Sequence, residues 1–266
     1  MIFRVGILAD IHTGSAFAPW PPDAELSIGG KHTPNIGQLY LNENWHRIAK
    51  EIPPLEVLIL NGDSIGGQEP KDRGRYAVEL DPQFQARAAL SMLEPYLEKA
   101  PVRYMTEGTD YHEGESAMWA EWLAREIGAI SKDEHWAWDW LLLEMAGLKF
   151  DVAHKQSIFM RYPTSALERE LQFSDMIDEN ADVIIRSHNH RWGYVDIHGG
   201  NKFQVGVSTP SWQMQSHYVR VGPSPNRYGP LVLGMVILNI ENGIVTPDKR
   251  FMFPHPQMRR SVYVSA

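Results

Sequence analysis

Three features of the sequence predict an α/β layer fold. Short β-rich apolar runs alternate with amphipathic helical stretches, each of the first five runs ends in a polar cluster, and the runs are apolar at consecutive positions, as strands buried on both faces are. Ligands of such folds gather beyond the carboxyl ends of the strands, where these polar clusters fall.

The elements follow in order. Residues 3–9 form an opening strand that ends at Asp10. Residues 14–37, rich in Pro and Gly with the lone aromatics Phe17 and Trp20, read as a long loop, and loops of that length are often functional lids. A helix over 40–51 is closed by Pro53-Pro54, and a strand over 57–60 runs into Asn61-Gly62-Asp63. Asp81-Pro82 supplies a cap and a first-turn proline for a helix in which Leu90, Leu93 and Leu97 recur at helical spacing. The strand at 102–105 precedes Thr106-Glu107-Gly108-Thr109-Asp110. A helix over 115–127 places Trp119, Leu123 and Ile127 on one face and stops at Gly128. Strands at 150–153 and 183–185 lead to His154 and to Arg186-Ser187-His188-Asn189-His190. Beyond a hairpin turn at Gly199-Gly200-Asn201 the chain is strand-rich, over 202–208, 231–240 and 244–253.

Composition bounds the chemistry. With 266 residues and 43% hydrophobic content the chain can fill a sizeable core, and no repeat or linker divides it, so residues 1–266 are expected to form one domain. Cysteine is absent, which removes disulfides, thiolate zinc sites, Fe–S clusters and cysteine nucleophiles. A net charge of −8 disfavours extended binding to nucleic acid or to an anionic membrane, but not a small phosphate ester. The longest apolar stretch, 231–238, is far shorter than the ~20 residues a bilayer span needs. The N-terminus reads as a strand rather than a signal peptide, so a cytoplasmic protein is expected.

Asp10-x-His12, Gly62-Asp63, Gly108 to His112, His154 and His188-x-His190 offer carboxylates and imidazoles at five strand ends. Residues two apart on extended backbone point the same way, so Asp10 with His12, and His188 with His190, are each expected to aim at one site. A carboxylate can bridge two cations. Asp63 is therefore expected between two ions, with His12 and His190 on one and His154 and His188 on the other. Such a pair clamps an ester phosphate and lowers the pKa of a shared water for in-line attack, which predicts metal-assisted phosphoester hydrolysis.

In this order and at these intervals, the five motifs resemble the calcineurin-like metallophosphoesterase superfamily over about residues 3–210. Trp20-Pro21-Pro22, Leu60-Asn61-Gly62-Asp63 and Arg186-Ser187-His188-Asn189-His190 are similar, more narrowly, to a phage- and archaea-associated branch. The resemblance implies a four-layer αββα sandwich of two mixed β-sheets flanked by helices. It also implies a dinuclear site of Mn, Fe, Zn or similar ions, and phosphomonoester or phosphodiester hydrolysis by a metal-bridging hydroxide. The chain departs from the superfamily in the third motif, Gly-Asn-His-Asp/Glu, where it carries Gly108-Thr109-Asp110-Tyr111-His112-Glu113. Thr109 or Asp110 stands in for the Asn ligand, and His112 either protonates the leaving oxygen, the favoured role, or turns in as a ligand.

The remaining candidates are weaker. Any one of these motifs alone is an ordinary polar pair; their recurrence at five strand ends carries the metal reading. Trp119, Trp122, Trp136, Trp138 and Trp140 are expected to pack, while Trp20 and Trp192 are placed to wall a pocket. Arg161 and Arg191 could grip a phosphate oxygen, against the default of a solvated charge. His46, His135, His198, His217 and His255 show no partner pattern, and Arg259-Arg260 reads as solvated charge. The leading expectation is a phosphoesterase acting on a diester, nucleotidic substrates included. The alternatives are a nuclease of DNA or RNA ends and a metal-retaining protein-binding scaffold without turnover.

Overall fold

A computed structural model describes residues 2–68, 73–156, 163–176, 180–199, 202–215 and 232–256. The chain runs β1 (Phe3–Leu8), α1 (Ile36–Glu51), β2 (Val57–Asn61), α2 (Pro82–Leu97), β3 (Val102–Thr106), α3 (Asp110–Glu113), α4 (Met118–Glu126), β4 (Ala137–Trp138), β5 (Leu141–Met145) and β6 (Leu148–Val152). It continues with α5 (Pro163–Met176), β7 (Val183–Arg186), β8 (Gly193–Gly199), β9 (Lys202–Ser208), β10 (Val232–Gly234), β11 (Val236–Glu241), β12 (Ile244–Asp248) and β13 (Met252–Pro254).

Two mixed sheets dominate. The first has the order β12-β11-β1-β2-β3-β4, parallel from β1 to β4 and antiparallel at β11 and β12. The second has the order β5-β6-β7-β9-β8, with a parallel centre and antiparallel edges. Side chains alternate across each strand, and the alternation decides what each layer touches. Val5, Ile7, Val57 and Ile59 face the second sheet and form one core with its Phe150, Val152, Val183, Ile185, Val205 and Val207. Leu8, Leu58 and Leu60 face the other way and pack under Trp45, Ile48, Leu93, Tyr96 and Leu123 of α1, α2 and α4. On the outer face of the second sheet Ile184 packs on Leu167 and Leu171 of α5. The result is the four-layer αββα sandwich expected above.

Several boundaries differ from the sequence reading, each for a local reason. Helix α1 begins at Ile36 rather than 40, because Asn35 caps Gly37 N and Gln38 N while Gln38 reaches back to the Asn35 N–H. The stretch 115–127 is broken: Ser116 and Ala117 take positive φ, so the α-helix starts only at Met118. The run 244–253 is two strands separated by a 3-10 turn that Asp248 caps through Arg250 N. The run 231–240 breaks at Gly234, whose φ of 119° and contact with the Phe251 backbone leave no room for a Cβ. Leu231 and the turn residues Gly200 and Asn201 lie outside the described residues. Among the described residues no helix is long and apolar enough to cross a membrane.

Candidate metal centre

Strands β1, β2 and β3 of one sheet and β6 and β7 of the other end at the same rim of the sandwich, and their loops interlock. Asp10 N donates to Gly62 O at 3.0 Å, His12 N to Asp63 O at 3.0 Å and Ser187 N to His154 O at 2.8 Å. The Asp-x-His and His-x-His pairs converge as expected, but not on extended backbone. Asp10, His12, Asp63, His188 and His190 all have φ between 50° and 66°, in the left-handed region. A concentration of strained residues at one rim is a mark of a functional site.

The donors fall into three groups, each with ligand atoms within 4.8 Å of one another: Asp10, His12 and His190; Asp63, His154 and His188; and His12, Asp63 and His112. Asp10 Oδ1 lies 3.2 Å from His190 Nε2, 3.7 Å from His12 Nε2 and 3.8 Å from His154 Nε2. Asp63 Oδ2 lies 3.1 Å from His154 Nε2, 3.9 Å from His188 Nδ1 and 3.9 Å from His112 Nε2. His12 Nε2 and His190 Nε2 are 3.0 Å apart.

Surrounding groups fix which atom of each side chain is free. Thr109 donates its backbone N–H (2.7 Å) and its hydroxyl (3.0 Å) to Asp63 Oδ1, and His188 N donates to Asp10 Oδ2 at 3.0 Å. Each carboxylate is left with one oxygen, and both are buried without a hydrogen-bond partner, as is His154 Nε2. Carbonyls only accept, so His154 Nδ1–H must donate to Asn61 O (2.7 Å) and His112 Nδ1–H to Gly66 O (2.6 Å), which turns each Nε2 inward, a lone pair for a cation whenever the ring is neutral. Unpartnered buried carboxylate oxygens are costly unless a cation meets them. The residues therefore fit a metal ion held by carboxylate and imidazole, a donor set suited to borderline divalent ions.

Electrostatics agrees. Burial alone would raise the Asp10 and Asp63 carboxyls, but the imidazoles of His190 and His154 around Asp10, and of His154 around Asp63, hold both below the ordinary range. Burial would lower His154, yet the Asp63 and Asp10 carboxylates push it up to about 10. Burial pulls His12 down to about 3, and it lowers His112 too.

Solved structures similar to this chain include a conserved Streptococcus pneumoniae protein described as a predicted phosphoesterase, at 11% identity over 96% of this chain and 91% of that one, TM-score 0.42. Zinc-complexed Vps29 from Entamoeba histolytica is 12% identical over 95% of this chain and 99% of that one, TM-score 0.45. An archaeal phosphodiesterase is 13% identical over 92% and 99%, TM-score 0.45. At these identities and TM-scores the likeness carries no argument about chemistry, which rests on the side chains above. No protein-family model and no curated protein sequence matches the chain.

The structure sorts the other candidates. Thr109 is buried and spends both donors on Asp63, whereas Asp110 is exposed at the start of α3 and belongs to none of the donor groups. Trp20 is fully buried and tied to Asn42 of α1, so it anchors its loop instead of walling a pocket. That loop is pinned a second time by Ser27, whose N–H and hydroxyl both donate to Glu79. Trp192 stacks on Tyr194 beneath Lys249. Arg191 is half-buried, with its carbonyl accepting from Ser208 Oγ. Asn189 bonds Gln156. Arg161, His217, Arg259 and Arg260 lie outside the described residues. His46, His135 and His198 are exposed, and His255 accepts from Gln215 N.

One buried residue of the site went unread. Glu113 accepts Ser64 N (2.9 Å) and Gly108 N (2.6 Å), clamping the Asp63 loop to the Thr109 loop, and burial beside the Asp63 carboxylate pushes its carboxyl up to about 7. Its signal in the sequence was the acidic residue directly after His112. Gly62 (φ +75°) and Gly108 are required where they stand, because a Cβ would strike the His154 ring or Asp63.

Proposed function

We propose that the chain is a metal-dependent phosphoesterase with a dinuclear centre, acting on phosphodiesters, nucleotidic ones included, in preference to monoesters. One observation carries this reading. Asp10 Oδ1 and Asp63 Oδ2 are single, buried, unpartnered carboxylate oxygens that face imidazole nitrogens, Asp10 those of His12, His154 and His190, and Asp63 those of His112, His154 and His188. Asp10, His12 and His190 would hold one ion and Asp63, His154 and His188 the other, with Asp63 placed to be shared. Bound there, Mn, Fe or Zn ions supply Lewis acidity towards the phosphate and lower the pKa of a water to near neutrality.

The chain's own residues do the rest. Thr109 and His188 N orient the two carboxylates, and Asn61 O orients His154. His112, anchored by Gly66 O, presents Nε2 on the rim of the centre and is placed to hold the proton that the leaving oxygen takes.

The test is hydrolysis of bis-p-nitrophenyl phosphate by Mn²⁺-loaded protein, extended to mono-, di- and cyclic phosphates and to oligonucleotide ends. Asp63→Asn should abolish turnover; full activity in that variant refutes the mechanism. Bound ions without turnover across the panel would leave the scaffold reading.

A further inference from the structure

The centre is assembled from two sheets. Asp10, His12, Asp63 and His112 follow strands of the six-stranded sheet, and His154, His188 and His190 follow strands of the other. Apolar packing between the sheets is non-directional, whereas the ligands of one ion must agree to within about 0.2 Å. A directional tie is needed where the two sheets meet at the rim.

Asn61, the last residue of β2, has the bonds for it. Within its own sheet its Oδ1 accepts from Thr106 Oγ1 at 2.6 Å. Across the seam its Nδ2 donates to Ser187 Oγ at 2.6 Å and to Ala153 O at 3.2 Å, and its own carbonyl accepts His154 Nδ1–H at 2.7 Å. Ser187 Oγ is bonded in turn to Thr209 Oγ1 at 2.7 Å. Asn61, Thr106 and Ser187 are wholly buried. The partners adjoin ligands: Ala153 precedes His154, Ser187 precedes His188, and Asn61 stands two residues before Asp63. An amide fits this place because it donates on one side and accepts on the other. A carboxylate would oppose the Ala153 carbonyl, and an apolar side chain would strand Thr106 Oγ1 and that carbonyl.

We propose that Asn61 is a positioning residue, whose hydrogen bonds across the seam hold the Asp63 loop and the His154 and His188 loops at the separation a shared metal ion requires. This deepens the function proposed above and rests on it only in that the centre binds metal.

The test measures Mn²⁺ and Zn²⁺ binding by calorimetry, and Mn–Mn exchange coupling by electron paramagnetic resonance, on the full chain. Asn61→Leu should weaken affinity about 10–100-fold, the usual effect of losing a partner behind a ligand, and abolish the coupled signal. Ser187→Ala, which removes one crossing bond, should weaken affinity by less. Gln204→Leu is the control: this buried amide bonds Ala181 O and Asp175, so its loss should lower the melting temperature and leave metal affinity unchanged. Affinity and spectrum unchanged in folded Asn61→Leu overturn the proposal, as does an equal loss in Gln204→Leu. Should Asn61→Leu not fold, unchanged affinity in Ser187→Ala overturns it. Wild type that binds Mn²⁺ but cleaves no phosphoester refutes the enzymatic reading alone; wild type that binds neither ion overturns both.

Discussion

Metal binding between pH 7 and 9 should displace one proton, and the proton comes from His154. In the metal-free chain the Asp63 and Asp10 carboxylates hold this imidazole protonated up to about 10, while burial keeps the neighbouring His12 neutral down to about 3. A ligand imidazole must be neutral, so each ion that enters the His154 position has to evict that proton. One displaced proton makes the apparent affinity rise about tenfold per pH unit, or about 100-fold from pH 7 to 9. With an ordinary histidine, near 6.5, affinity would already be flat over that window. The assay is calorimetric titration with Mn²⁺ in buffers of different ionisation enthalpy, supported by chelator competition. The sign extends to stability. A pKa raised on folding stabilises the metal-free protein fully below about 6.5, and that contribution is lost as pH rises through about 10. Melting of the metal-free chain should therefore fall across that interval. Affinity independent of pH from 7 to 9, with no buffer dependence of the heat, would refute the assignment of a charged His154 between two carboxylates.

Other expectations follow from single contacts. Thr109→Val removes the hydroxyl donor to Asp63 Oδ1 but keeps the backbone N–H, so turnover should fall about tenfold with little change in melting, corresponding to about 1.4 kcal/mol for one hydrogen bond to a charged group. Glu113→Gln sets an NH₂ group against a backbone N–H at Ser64 or Gly108, and chemical denaturation should show a loss of about 1–3 kcal/mol. Arg186 is buried between Glu170 and Asp151 at 2.7 Å from each, so Arg186→Met takes their shared cation away, leaving Asp151 with the Trp140 Nε1–H bond, and should cost about 3–5 kcal/mol in the same assay. A cost under about 1 kcal/mol there would mean that the carboxylates are relieved by some other partner.

How much of this was legible in the sequence depended on which force set each feature. The central strands were readable because burial on both faces leaves an unbroken apolar run, as in Val57–Asn61, where all five residues are buried. Helix α5 was not read, since only Ala166, Leu167 and Leu171 commit it to the sheet, while Phe173 and Met176 lie exposed and blur the apolar period. Edge strand β5 was missed because it alternates too briefly against exposed Leu142 and Glu144. At the centre the residue types and their order were visible, while the geometry was not. Left-handed backbone at Asp10 and His12 is only weakly signalled by residue type, since aspartate and histidine are enriched there but mostly lie elsewhere, and an expectation built on extended backbone reached convergence by the wrong route. Asn61 and Glu113 escaped because their roles depend on hydrogen bonds to residues distant in sequence, Ser187, Ala153 and Thr106 for Asn61 and Ser64 for Glu113.

The left-handed conformations of Asp10, His12, Asp63, His188 and His190 carry a consequence for how such a centre can be lost. Their loops hold these positions in that shape, and glycine tolerates the region freely, while asparagine, aspartate and histidine tolerate it better than other side chains do. Exchanging the donors for glycine would relax backbone strain, and exchanging Asp10 or Asp63 for asparagine would remove buried charge. The fold is then free to outlive its chemistry: a handful of substitutions could silence the site while leaving a sturdier sandwich behind.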